Sequence, residues 1–224
     1  MRQKLTPLQM EESTSTIICI TLSGGFQDAY SYFARGKVFS NAQTGNIVLM
    51  ASHLASGDLL GVIRYLMPLI FFCVGVFAAE QFEGRYVHSK NFHWRQKVLL
   101  FETVLLILSG FLPESWNIFV TSMLSFACAM QVQAFRKWNG NAYASTMCIG
   151  NMRNSMSFLS SYTRTKNKKD LHTALWYFTV NAIFFCGAGL GYLCVQLFAL
   201  HAIWVSCAFL LLGMVFLWNF NTNQ

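Results

Sequence analysis

Charge is what this sequence has least of, and the shortage excludes a water-wetted enzyme of ordinary build. Only 11% of the 224 residues are charged while 54% are hydrophobic; a soluble domain carries about 25% charged residues to cover its surface. Lipid is the natural alternative solvent. Cysteine motifs are also missing: the seven cysteines include no Cys-x-x-Cys pair and no Cys/His metal spacing, so no metal or cofactor is expected. Cys19, Cys73, Cys128, Cys186, Cys194 and Cys207 lie in apolar runs, where a thiol acts as a small hydrophobe. Cys148 stands near a polar motif, and packing is the simpler account of it. No cleavable leader is expected, because Glu11 and Glu12 precede the first apolar run and no small-residue cleavage site follows. Gly-x-Ser-x-Gly, His-Glu-x-x-His and phosphate-loop signatures are absent too, and the chain is not expected to be an enzyme.

What is present is a series of apolar runs. A hydrocarbon core about 30 Å thick takes roughly 20 residues per helical crossing, so six to eight crossings would use most of the chain, and 1–224 reads as a single membrane domain. The formal charge of +7 would suggest nucleic acid in a soluble protein. Here the basic residues sit in short loops between apolar runs, where they set orientation in the bilayer and meet anionic headgroups. No nucleic-acid partner is expected.

The runs repeat. A shift of 105 residues (133 − 28, and again 150 − 45) pairs Asp28-Ala29 with Gln133-Ala134 and Gly45-Asn46 with Gly150-Asn151. The same shift places Ser40 on Ser145 and Tyr30 on Phe135. Repeat 1 then covers about 15–112 and repeat 2 about 117–220. Two stretches, Thr44 to Ala55 and Thr146 to Tyr162, are short, and they decide the topology. If both spanned, each half would cross four times; if both re-entered, three times, and the second half would be inverted. With three crossings the basic loops around Arg85–Lys97, Arg136–Lys137 and Arg164–Lys169 share one side with Arg2 and Lys4. Only Arg35 and Lys37 fall on the other. The expected fold is therefore an all-α integral membrane protein of about six transmembrane helices plus two short re-entrant half-helices, in two inverted-topology repeats. Inverted repeats with Gly-interrupted segments in matching places are a recurring sign of secondary transporters.

Candidate site residues follow from what is polar at apolar depth. Asp28 is costly there by at least ~2.5 kcal/mol on insertion scales; it could bind a cation, exchange a proton or hold a polar substrate, or else cap a helix end or pair with Arg35. Thr44-Gly45-Asn46 and Gly150-Asn151 each open a short helix, and two helix starts aimed at the midplane would favour an anionic group. The alternative is that these glycines serve helix crossing. Gln27, Gln131 and Gln133 are amides able to select a polar ligand, or simply to join helices at about 0.6 kcal/mol each. Glu102, one turn from Lys97, reads as interfacial, Glu80 as lying near a helix end, His53 as a packing histidine, and Arg153 as facing either an anion or headgroups.

The stretch Gly25-Phe26-Gln27-Asp28-Ala29, then Val38-Phe39, then Thr44-Gly45-Asn46, resembles the YoaK-type family of bacterial multi-pass membrane proteins, a domain of unknown function. Met130-Gln131 and Ala134-Phe135-Arg136 resemble that family's Gln-Asn-Ala-x-Arg segment, with Gln133 for the usual Asn and Ile149 for the usual Thr. The resemblance spans nearly the whole chain and implies a bacterial inner-membrane location and a transporter-like build, without naming a substrate. The expected function is movement of a small polar or ionic solute through a site lined by Asp28 and the two Gly-Asn helix starts, in a protein that could form oligomers. A membrane-embedded enzyme acting on a lipid or small molecule, and a non-transporting scaffold or sensor, are the alternatives.

Overall fold

The computed structural model describes residues 14–86, 94–138 and 140–222, with side chains to residue 218. Arg2, Lys4, Glu11, Glu12 and Lys90 lie outside the described residues. Within them the chain is all-α: α1 (Thr14–Ala34), α2 (Gln43–Ala55), α3 (Leu59–Tyr86), α4 (Trp94–Phe111), α5 (Asn117–Ala134), α6 (Cys148–Thr165), α7 (Lys168–Phe198) and α8 (Ile203–Thr222). One two-residue hairpin, Lys137–Trp138 against Asn141–Ala142, separates α5 from the lead into α6.

Polarity is inverted relative to a soluble protein. Phe77 on α3 is 67% exposed and Phe185 on α7 is 76% exposed, whereas Glu102 on α4 is 0% exposed. Water would drive the opposite arrangement, because buried apolar area is the main source of folding free energy there, so this surface belongs in lipid. Two stretches are long and apolar enough to cross a membrane, Leu59–Tyr86 and Lys168–Trp218. The second bends at Ala199, whose φ is +49°, and so contains both α7 and α8. α2 has 13 residues, about 20 Å of helix, too short for a ~30 Å core. α6 has 18 residues but carries Asn154, Ser155, Ser160, Ser161 and Arg164 along its length.

Helix order repeats as four plus four, and so does the packing. Exchanging α1 with α5, α2 with α6, α3 with α7 and α4 with α8 maps the α1–α7 contact onto α3–α5, α2–α3 onto α6–α7, and α1–α8 onto α4–α5; α4–α8 maps onto itself. Two groups result, α1/α6/α7/α8 and α2/α3/α4/α5. Each takes its first helix from the other half of the sequence.

Small residues make the long crossings close. Ser23-Gly24-Gly25 does not interrupt α1, which is continuous from Thr14 to Ala34. Gly25 instead lies against the Phe184 carbonyl and Gly187 against the Leu22 carbonyl, each with no room for a Cβ, and a Cβ on Gly191 would sit 2.8 Å from the Phe26 carbonyl oxygen. At the equivalent α3–α5 crossing, a Cβ on Gly75 would sit 2.6 Å from the Phe126 carbonyl oxygen. Backbone cannot give way as a flexible side chain can. Gly25→Ala is therefore expected to destabilise the protein by about 3 kcal/mol, an overpacking cost at the upper end of the usual range, read as a lowered melting temperature in detergent. An unchanged melt would show that the α1–α7 crossing is loose.

Each short helix has contacts near both of its ends with one region of the neighbouring helices. The lead-in to α2 stacks Phe39 on Tyr32 with centroids 4.6 Å apart, and the far end of α2 meets the same region: His53 lies 5.5 Å from the Tyr65 ring, and the Tyr65 hydroxyl donates to the Lys37 carbonyl at 3.4 Å. Asp58 closes the turn into α3, accepting from the Gly61 amide at 3.0 Å and paired with His53 Nδ1 at 2.8 Å. The Gly61 amide and, after it, His53 hold the Asp58 carboxyl below the usual range. At the opposite end Trp138, just before the lead-in to α6, stacks on Trp176 of α7 at 4.4 Å. The far end of α6 returns there through Ser161, which donates to Asp170 at 2.7 Å.

Candidate functional site

The starts of α2 and α6 are held by the same device. The Asn46 side chain donates to the Phe39 carbonyl at 2.6 Å and accepts from the Phe39 amide at 3.1 Å. Asn151 donates to the Ala144 carbonyl at 2.8 Å. Each buried asparagine thus pins the residue seven positions earlier, and each lead-in is carried inward toward α1 and α5. Neither helix has a side-chain N-cap, with Ala42 and Met147 at those positions. The orphan amides of a helix start need partners all the same.

At α2 the Gln43 and Gly45 amides turn back to the Asn41 and Ala42 carbonyls, at 3.0 and 3.1 Å, and the lead-in just before the helix is anchored on Asp28. Its Oδ1 accepts from the Asn41 amide at 2.8 Å and from the Ser40 hydroxyl at 3.4 Å. Ser40 is fixed in turn: its amide donates to the Ser31 hydroxyl at 3.0 Å, and its carbonyl accepts from Ser125 on α5 at 2.8 Å. Asn41 donates to the Gly24 carbonyl at 2.9 Å. The carboxylate is buried and does not pair with Arg35. Arg35 turns away to the carbonyls of Ser109 and Leu112, at 2.5 and 2.8 Å, and to the Tyr30 hydroxyl at 2.8 Å.

A second acid stands on the neighbouring face of α1. Glu102 on α4 lies at full burial, not at the interface its spacing from Lys97 suggests. Gln27 Nε2 donates to Glu102 Oε1 at 2.8 Å and to Ser23 at 3.0 Å, and Ser23 is hydrogen-bonded to Ser206 of α8 at 2.8 Å. Gln131 of α5 satisfies both its neighbours when its amide nitrogen faces Glu102, at 3.1 and 3.3 Å from the two carboxylate oxygens, and its oxygen accepts from Ser145 at 3.1 Å. Among the described residues, no Lys, Arg or His is paired with Asp28 or Glu102. The Thr146 methyl lies where a Cβ on Gly24 would be, 2.6 Å away, so the lead-in to α6 presses on the same stretch of α1.

The structure therefore gathers Gln27, Asp28 and Gln131, with Asn46 and Asn151 just outside as braces. Gln133 is not brought in: it is half-exposed and donates to Glu80, which also pairs with Arg136 at 3.1 Å. The reason is a change of register. The shift of 105 holds for the lead-ins (Phe39 with Ala144, Ser40 with Ser145, Asn46 with Asn151), but the hairpin at 137–142 adds two residues after α5. The partner of Ser145 is consequently Gln131, and Gln131, not Gln133, stands where Asp28 does. Thr44 and Gly150 are exposed, and a Cβ on Gly45 would meet only the Phe39 ring, at 3.3 Å; none of the three reaches the buried cluster. Arg153 is exposed.

These residues fall in a recognised stretch of sequence. A family model described as "Protein of unknown function (DUF1275)" matches residues 16–216. The chain belongs to the DUF1275 family. It is 26% identical over 173 residues to the UPF0700 transmembrane protein YoaK of Bacillus subtilis strain 168, covering 74% of each chain. No solved structure matches. With that relative and the apolar spans, the chain is a transmembrane protein of a family whose function is open.

Sequence reasoning placed Glu102 at the interface, used Ser145 only to align the repeats, and missed Ser23, Asn41 and Ser206 as part of the cluster. Glu102 carried a signal: it is the one acid in a run from Val98 to Leu112 otherwise free of charge.

Proposed function

We propose that this protein is a secondary transporter of a small polar or ionic solute, built from six crossings (α1, α3, α4, α5, α7, α8) and two re-entrant helices (α2, α6) in inverted repeats. The exchange symmetry of the packing supports this reading, as do the contacts of each short helix, near both of its ends, with one region of the neighbouring helices. Most of the described basic residues support it too: Arg85, Lys97, Arg136–Lys137 and the Arg164–Lys169 run belong to the end where α3 finishes and α6 returns, against Arg35, Lys37 and Arg64 at the other. The positive-inside bias puts that end in the cytoplasm of a bacterial cell, with the chain in its plasma membrane.

The observation that carries the reading is Glu102: an acid at full burial, met among the described residues only by neutral groups, where α1, α4 and α5 converge and Gln131 links it to Ser145 of the lead-in to α6. Such a group is expensive in a membrane and is kept there by a function. The moving bodies are the two packing groups, not the two halves of the sequence. Gln27–Glu102 lies on the seam between them, since α1 belongs to one and α4 to the other. Rocking along that seam would open the cluster to alternate sides. On this reading the chain is a carrier and catalyses no bond chemistry.

Two measurements test it. Single cysteines at Lys37 and Lys168, in a background lacking the native ones, should label from opposite faces of the membrane; labelling from one face would sink the six-crossing arrangement. Purified protein in liposomes should show saturable uptake of one member of a panel of small amines, amino acids, sugars and organic acids. Glu102→Gln should reduce that uptake at least tenfold, and a panel with no uptake by the intact protein would remove the transport reading.

A further inference from the structure

We infer that the Glu102 cluster takes a small monovalent cation, either an alkali ion or the ammonium of an organic amine, and not an anion. The inference rests on the transport reading for its purpose, though its evidence is the local balance of charge and hydrogen bonds. Two helix starts near a buried cluster suggest an anion site at first sight. At α2 that position is already filled from within, because Asp28 receives the Asn41 amide and the Ser40 hydroxyl. Asp28 is an internal anion that already receives a backbone amide and a hydroxyl from the lead-in to α2.

Glu102 has no such answer. Its donors are two carboxamides, Gln27 and Gln131, which carry no charge. The unmet capacity on this stretch of α1, beside Glu102 at Gln27 and beside Asp28 at Asn41, is also of one kind. Gln27 spends its amide nitrogen on Glu102 and Ser23, leaving its Oε1 buried with no partner; Asn41 spends its nitrogen on Gly24, leaving its Oδ1 likewise. Both side chains are nearly fully buried, at 1% and 4% exposure. Buried acceptors without donors are uncommon and call for an explanation. At Glu102 a carboxylate and the amide oxygen of the Gln27 beside it both want positive charge or N–H, and neither offers a donor to an anion.

Oxygen ligands of this type suit hard cations. Asp28 is met by a backbone amide and a hydroxyl while Glu102 is met by carboxamides alone, so a single positive charge at Glu102 balances that group, whereas a divalent ion there would bury an excess charge at a cost of several kcal/mol. No group of three His, Cys, Asp or Glu side chains stands ready for a transition metal among the described residues.

The test uses the full chain in detergent at pH 8. Its melting temperature is measured against NaCl, LiCl, KCl and methylammonium chloride, with choline chloride holding the ionic strength constant, since choline offers no N–H and is too large. A saturable rise with at least one small cation is expected. An alkali ion alone would mark a coupling ion, and methylammonium alone an amine solute; either supports the inference. Glu102→Gln, close to the native shape, should abolish the rise. Gln27→Met, which keeps the carboxylate and deletes the orphan oxygen, should raise the half-saturating concentration at least tenfold, and it serves if Glu102→Gln does not fold. No saturable rise in the wild type, a rise retained in both variants, or stabilisation obtained only by lowering the pH would overturn the inference. Cation binding with no solute flux in liposomes would leave it standing and sink the transport reading. Flux of a neutral or anionic solute indifferent to every cation would do the reverse.

Discussion

Asp28→Leu should cost about 4 kcal/mol of stability, roughly 1–3 kcal/mol for each buried donor it strands. The stranded donors are the Asn41 amide and the Ser40 hydroxyl. The acceptor described for the Asn41 amide is Asp28. Asp28→Asn keeps one oxygen and should cost less than half as much. Two readouts check this: the melting temperature in detergent, and the labelling rate of a cysteine at Ala42, which should rise as the lead-in comes away from α1. Glu102→Gln should leave both readouts close to the wild type when no small cation is present. The contrast matters because the two acids lie in one cluster, yet one fixes architecture and the other is held in reserve. If Asp28→Leu melts with the wild type, Asp28 is not the anchor, and the charge argument for Glu102 loses its comparison.

How much of this was legible in the sequence depends on which interaction a residue makes. The bilayer, the four-plus-four order of elements and the short segments at 44–55 and 146–162 come from hydropathy, a local property summed over a window. Asn46 and Asn151 stood out because their contacts are local as well: each reaches a carbonyl seven residues back, so the motif and the structure share one spacing. Glu102 was misplaced because its partner, Gln27, is 75 residues away, and nothing in its own helix distinguishes a carboxylate facing lipid headgroups from one facing α1. Gln133 was misplaced by the opposite fault. A single shift was extended across a hairpin that holds two more residues than its counterpart, and in a helix two residues turn a side chain by about 200°, from the cluster to Glu80. Asp28 was recognised as costly, but the donors that meet it, at Ser40 and Asn41, lie beyond a turn that only the fold brings back.

Arg35→Met should be the most damaging of the single changes considered, at about 5 kcal/mol, because three short hydrogen bonds from a charged donor are lost at roughly 1.5–3 kcal/mol each. Arg35 is fully buried and is the only described link of this kind from the end of α1 to the end of α4. Its guanidinium donates to the Ser109 and Leu112 carbonyls and to Tyr30, and more weakly, at 3.4 Å each, to Pro113 and to Asn117 of α5. These carbonyls close the C-terminal end of α4, where the helix dipole favours a cation. A lysine carries the same charge but has no planar fork to reach several oxygens at once, so Arg35→Lys should recover less than half of the loss. The link also crosses the seam, since α1 and α4 belong to different packing groups. Beside it lies a cavity of about 200 Å³ lined by Arg35, Arg64, Glu114 and Thr121. If the seam opens for transport, Arg35 keeps this end shut, and Arg35→Lys should raise the labelling rate of a cysteine at Thr121 at least tenfold from that face while the protein stays folded. A lysine variant as stable and as closed as the wild type would show that the charge alone suffices, and that the seam is held elsewhere.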